Sequence, residues 1–145
     1  MSWVRIWIHA VFATKYRTPY LNNLDVRKQF FGHIKENAKE KGLLLDSVNG
    51  YTDHAHCLFL LNRELTVSKT MQLIKGESSH WINKNEIIKE HFAWQDDYWA
   101  VGISDSGVHH VRRYIERQER HHGKKTFDEE LDEFIREGGW EKGDG

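Results

Sequence analysis

Tyr51 to Asn62 reads YTDHAHCLFLLN, an apolar, β-prone run carrying two histidines two positions apart, His54 and His56. Side chains alternate across a strand with period two, so both imidazoles fall on one face. Side by side they offer the nitrogen donors that one metal ion needs from a strand. On spacing alone such a pair is more often a pair of ordinary surface or half-buried histidines, so a third ligand has to decide.

A later stretch offers one. Gly107 to His122 reads GVHHVRRYIERQERHH, a helical pattern whose apolar stripe is Val108, Val111 and Ile115. Tyr114 and Gln118 are four apart and border that stripe on one side. A glutamine that continues an apolar stripe needs partners for its amide, which suggests that Gln118 has something to bind. Taken alone it reads as a helix-surface glutamine beside a packed tyrosine. Joined to the histidines, two imidazoles and an amide oxygen make an incomplete coordination sphere, with positions open for phosphate oxygens and water. That mixed set suits Mn²⁺ or Mg²⁺ better than a closed zinc site. A tyrosine one turn away would present its phenol to a phosphate held on the metal. The ion would act as Lewis acid while the phenolate attacks, and would help lower a phenol pKa that is about 10 unperturbed.

These residues need elements to position them. Trp3 to Thr14 alternates, with Val4, Ile6, Ile8, Ala10 and Phe12 on one face and Trp3, Arg5, Trp7, His9 and Val11 on the other, which predicts a strand. The basic loop Lys15–Pro19 follows, either a solvated turn or a phosphate contact. Asn22 or Asn23 caps a helix to about Lys41, stopped by Gly42, with Val26, Phe30, Ile34 and Ala38 as its stripe. Leu43–Asn49 and His54–Leu61 read as two strands of a hairpin through Gly50, the second with Ala55, Cys57, Phe59 and Leu61 on one face. Thr66 caps a helix to about Asn83, with Val67, Met71, Ile74 and Trp81 inward. Phe92–Ser104 is a loop entering a fourth strand, and Asp105-Ser106-Gly107 opens the helix to about His121. Thr126-x-x-Glu129 is a capping-box pattern for a last helix ended by Gly138-Gly139, with Phe127, Leu131, Phe134 and Ile135 inward.

The order β-α-β-β-α-β, then helices, is the α+β, ferredoxin-like (RRM-like) arrangement. It predicts an antiparallel sheet with two helices on one face and His54 and His56 on the other, free face. The 145 residues suit one domain, 1–145, whose segment 127–145 is an acidic helix and tail. That segment holds eight acidic residues against Arg136 and Lys142, a charge of −6, so residues 1–126 carry +5 of the overall −1. A basic body with an acidic tail is compatible with a polyanion ligand without demanding one. No run approaches a membrane span and the first residues lack the shape of a signal peptide. The single cysteine, Cys57, excludes an internal disulfide, reads as a core residue and fits a cytoplasmic protein.

His54-Ala55-His56 on a strand, followed by Tyr114-Ile-Glu-Arg-Gln118 on a late helix, resembles the HUH-type single-tyrosine transposases of bacterial insertion sequences and their domesticated repeat-associated relatives. The stretches HAVFATKYR at 9–17, LIKGESSHWIN at 73–83, FAWQDDYWAVGIS at 92–104 and QERHHGKKTFDEE at 118–130 look similar too, so the likeness covers nearly the whole chain. The resemblance implies that His54, His56 and Gln118 bind Mg²⁺ or Mn²⁺ and that Tyr114 is the nucleophile. It implies cleavage of single-stranded DNA through a 5′-phosphotyrosine with release of a 3′-hydroxyl, and rejoining by the reverse attack. It also implies DNA recognised as imperfect hairpins at element ends and, as is typical of the transposases, a homodimer in which the tyrosine helix of one chain can complete the other's site, whereas domesticated relatives can be monomers. Ala55 departs from the bulkier residue of the family, and the near-neutral charge is low for a DNA enzyme.

Lys15, Arg17, Lys75, Arg112, Arg113, Arg117 and Arg120 are the candidate DNA contacts, although cations on a charge-rich helix commonly form a solvated face. His109, His110, His121 and His122 read as surface residues. Two other readings stay open. A non-catalytic single-strand-binding module would stack bases on the free sheet face through Trp3, Trp7 and His56. A metallophosphodiesterase would use activated water and form no covalent adduct.

Overall fold

The computed structural model describes residues 2–121 and 127–137, without the side chains of residues 120, 121, 127, 134, 135 and 137. The capping-box Thr126, the terminal Gly138-Gly139 and His122 therefore lie outside the described residues, as do the side chains of Phe127, Phe134, Ile135 and His121.

The strands are β1 (Trp7–Ala13), β2 (Leu45–Gly50), β3 (His54–Leu60) and β4 (Trp99–Ile103), in the order β2-β3-β1-β4 with every neighbour antiparallel. Helices α1 (Leu24–Glu40) and α2 (Val67–Lys84) follow β1 and β3. This is the expected α+β, ferredoxin-like arrangement. Both helices start where the sequence says: the Asn23 side chain accepts from Val26 N–H and Thr66 accepts from Lys69 N–H. Gly42, at φ 69°, takes the left-handed position after α1 that side-chain-bearing residues disfavour.

The core lies between the sheet and these two helices. Ile8, Ala10 and Phe12 of β1 and Ala55, Cys57 and Phe59 of β3 meet Phe30 and Ile34 of α1 and Met71, Ile74 and Ile82 of α2. Phe92 and Trp94, from the segment before β4, close its end, with the Trp94 ring 4.6 Å from that of Phe12. Each such ring is worth roughly 1.5–3 kcal/mol of burial. The alternation of β3 thus puts Ala55 and Cys57 inward and turns His54 and His56 to the opposite face. The thiol of Cys57 is wholly buried and its pKa is pushed up to about 12 by that burial, which suits a packing residue.

The turn before β3 depends on one glycine. A Cβ on Gly50 would stand 2.1 Å from the carbonyl oxygen of His54, so any side chain there would push the first histidine out of line.

Three expectations need correction. Strand β1 starts at Trp7, not Trp3, because its neighbours run out: Trp7 pairs Leu60 of β3 and Ile103 of β4, both strand ends. Trp3, Val4 and Ile6 are exposed. The late helix is also two helices, α3 (Val108–Glu116) and α4 (Gln118–His121), broken at Arg117 and preceded by a 3₁₀ turn over Asp105–Gly107. Finally, the second sheet face is not free. Val108 and Ile115 of α3 pack on Trp7 and Leu58, and Leu131 of α5 (Phe127–Glu137) packs on Val11 and Ala13. All seven β1 residues are buried. The apolar stripe read on α3 has to be covered, and this face covers it.

Candidate active site

His54 and His56 project from β3 into the layer between the sheet and the C-terminal helices, at 0% and 1% exposure. Their ring centroids lie 5.3 Å apart. Two neighbours set their orientation. The Nδ1 of His54 lies 3.0 Å from Asp53 Oδ1, and the Nδ1 of His56 lies 3.0 Å from Nε2 of His9 on β1. With hydrogens on both Nδ1 atoms, both Nε2 lone pairs face the layer, as metal-ligating histidines require.

His9 is the odd member. Burial first, and then the neighbouring His56, lower its pKa to about 3, so it is a neutral imidazole that can accept from His56. His54 behaves oppositely: burial opposes its charge, but Asp53 and Glu130 outweigh that and raise its pKa. Asp53 is likewise held low despite burial, by His54 and by Arg17. His9→Phe removes the acceptor while keeping an aromatic ring, and it is expected to weaken Mn²⁺ binding by about tenfold, the low end for outer partners of metal ligands. Titration of Mn²⁺ by electron paramagnetic resonance reads this, and unchanged affinity would take His9 out of the site.

Gln118 is fully buried. Its Oε1 stands 3.2 Å from His54 Nε2, so the anomaly read in the sequence has its explanation in a partner on β3. Tyr114 is half-buried, with its ring centroid 5.4 Å from that of His56. Its hydroxyl donates to Glu130 Oε1. Burial, then the Glu130 charge, raises the phenol pKa, which keeps Tyr114 protonated in this arrangement.

Glu130 of α5 is the residue that sequence reasoning missed. It is 1% exposed. Its Oε1 lies 2.8 Å from His56 Nε2 and 3.1 Å from Gln118 Nε2, and its Oε2 lies 3.3 Å from His54 Nε2. His54, His56 and Glu130 could hold a metal ion: one ligand atom of each lies within 4.8 Å of the others. The site is thus built from two strands and three helices, with α4 held by a bidentate pair between Arg27 of α1 and Glu119 (2.7 and 2.9 Å).

The candidate DNA contacts divide. Lys75 is half-buried and donates to the backbone carbonyls of Gln95 and Asp96, and Arg112 is paired with Asp46. Arg17 bridges Asp53 and Asp128. Lys15 is exposed beside the Tyr16 ring. Arg113 and Arg117 are exposed and line, with Tyr114, His109 and His110, a recess of about 420 Å³ that opens at the phenol. The side chain of Arg120 is not described. His109 and His110 are surface residues as expected.

A ferredoxin-like sheet that buries a two-histidine donor set next to a helix-borne tyrosine and glutamine defines a metal-capable, tyrosine-bearing site. Residues 2–118 match the family described as IS200-like transposases. The chain belongs to that family, and is therefore a transposase, an enzyme that cuts and transfers DNA strands. No match emerges among curated proteins. Among solved structures it is similar to a candidate transposase from Deinococcus radiodurans R1, at 21% identity and a TM-score of 0.63, over 81% of this chain and 93% of that one. It is also similar to a REP-associated tyrosine transposase bound to a REP hairpin, at 19% identity and a TM-score of 0.58, over 85% of this chain and 72% of that one.

Proposed function

We propose that the protein cleaves and rejoins single-stranded DNA through a 5′-phosphotyrosine on Tyr114, with a divalent ion, Mn²⁺ or Mg²⁺, held by His54, His56 and Gln118. The observation that carries this reading is the convergence of Tyr114 and Gln118 on the histidine pair, from elements about 60 residues away in sequence. The donor set fits the ion: in an octahedral site, ligands at about 2.1 Å put adjacent donors about 3.0 Å apart. His54 Nε2 and Gln118 Oε1 stand 3.2 Å apart. When bound, the ion would draw charge from the phosphoryl oxygens.

The chain's own residues supply the rest. His54 and His56, oriented by Asp53 and His9, direct their Nε2 atoms into the layer. Tyr114 Oη gives up its proton and bonds to phosphorus as the bond from phosphorus to the 3′-oxygen breaks, and that oxygen takes up a proton to leave as the 3′-hydroxyl, so the phosphodiester energy is conserved for rejoining. Arg113 and Arg117 flank the phenol where the incoming strand's phosphates must lie. A hairpin is the form of DNA bound to the REP-associated relative, and we carry it over as the proposed substrate. A basic groove of about 1210 Å³ between α2 and the segment before β4, lined by Lys69, Lys75 and Lys84, is the proposed place for its stem.

The test incubates the protein with Mn²⁺ and 3′-end-labelled single strands from the DNA flanking its gene, then runs denaturing gels. A metal-dependent, label-bearing protein band is expected. Cleavage without a band would favour the water-using phosphodiesterase. Tight binding without cleavage would favour the non-catalytic module, whose sheet face α3 and α5 cover here.

The homodimer with exchanged tyrosine helices is a separate proposal, because this chain carries Tyr114 to its own histidines. Mixing Tyr114→Phe with His56→Ala chains distinguishes the two. If each chain uses its own tyrosine, neither mutant nor mixture forms adduct; adduct regained in the mixture would establish exchange between chains.

A further inference from the structure

We infer that Glu130 is a direct ligand of the same metal ion, and that the ion thereby fastens α5 across the sheet face. This rests on the metal-dependent reading above and extends it to a residue beyond the stretch that matches the family.

The geometry is that of one coordination sphere. The carboxylate oxygens stand 2.8 Å from His56 Nε2 and 3.3 Å from His54 Nε2, and His54 Nε2 stands 3.2 Å from Gln118 Oε1. All three separations fall near the edge of about 3.0 Å that an octahedral ion with ligands at about 2.1 Å imposes. Two imidazoles, an amide oxygen and a carboxylate are a donor set for a Mn²⁺-like ion, and the carboxylate is its only anionic member.

Charge points the same way. At 1% exposure a carboxylate needs a cation close by, since burying an uncompensated one is costly. The imidazoles of His54 and His56 face its two oxygens, and an ion between them would supply that charge. Each lone pair of His54 and His56 that faces Glu130 calls for a proton or a metal in the gap. The contacts that seat α5 on the body include Leu131 on Val11 and Ala13, Asp128 on Arg17, and Glu130 in the site. A metal bond would be the strongest of these and would also hold the carboxylate to which Tyr114 donates.

The experiment measures Mn²⁺ affinity of the full chain by paramagnetic resonance, without DNA. Glu130→Gln keeps the shape and removes the charge; Asp132→Asn makes the same charge change at an exposed site on the same helix. Glu130→Gln is expected to weaken Mn²⁺ binding by about tenfold or more, at least what outer partners of ligands are worth, and Asp132→Asn to leave it unchanged. Hydrogen exchange provides the second readout. Mn²⁺ is expected to slow exchange of the amides of 127–137 in the wild type and not in Glu130→Gln. Unchanged affinity in Glu130→Gln, together with weakened affinity in His56→Ala, would overturn the inference and keep the metal site. Unchanged affinity in both would overturn the metal site itself. Faster adduct formation in Glu130→Gln at unchanged Mn²⁺ affinity would also overturn it, making the carboxylate an occluding group and not a ligand.

Discussion

Tyr114→Phe is expected to leave no covalent protein–DNA band and to cut strand cleavage by about 10³-fold or more, the scale on which removing a covalent nucleophile acts. The change removes one oxygen. The ring stays, and with it the contacts to His56 and to the cluster of Trp7, Leu58, Val108 and Ile115. What is lost besides chemistry is the hydrogen bond to Glu130, a charged partner, worth about 1.5–3 kcal/mol. Gln118 Nε2 still donates to the same carboxylate oxygen, which moderates that loss. Hairpin binding and Mn²⁺ affinity are therefore expected to persist. A mutant that still forms adduct would remove Tyr114 from the chemistry, and attention would pass to other nucleophiles near the recess.

His56→Ala is expected to act at the metal. It deletes one imidazole donor and opens a hole between His9 and Glu130, while His54 keeps its contacts with Gln118 and Glu130. Mn²⁺ affinity is expected to fall by well over the roughly 10- to 100-fold that outer partners contribute, and cleavage with it. DNA binding without metal, which depends on surface cations, is expected to hold. The two variants separate the roles: one keeps the ion and loses the adduct, the other loses both. Wild-type Mn²⁺ affinity in His56→Ala would detach the histidine pair from metal binding, whatever happened to activity.

Much of the scaffold was legible because local rules and tertiary packing agree. Asn23, Thr66 and Gly42 mark helix ends by their own backbone chemistry. The alternation of β3 settles which face carries His54 and His56, and the odd amide in an apolar stripe gives away Gln118. Other features were hidden for physical reasons. The alternation from Trp3 continues past the point where β1 has strands to pair with, so pattern overstates length. His9 shares a face with His56 only once the register sets Val11 opposite His56, a fact of pairing and not of either strand. Glu130 is one acid in an acid-rich helix, and nothing local distinguishes it from Glu129 or Asp132. Only the docking of α5 does.

The break at Arg117 has a consequence for how such a site can change over generations. Tyr114 is seated by α3, through Val108 and Ile115 on the sheet and Arg112 on Asp46. Gln118 begins a separate short helix that Glu119 ties to Arg27 of α1. In one unbroken helix, any substitution that tilted the tyrosine would tilt the amide with it. Here the two answer to different neighbours, so drift in the seat of α3 can adjust the reach of the phenol while the amide keeps its place. The phenol and the amide beside the histidines can be inherited, and altered, as separate traits.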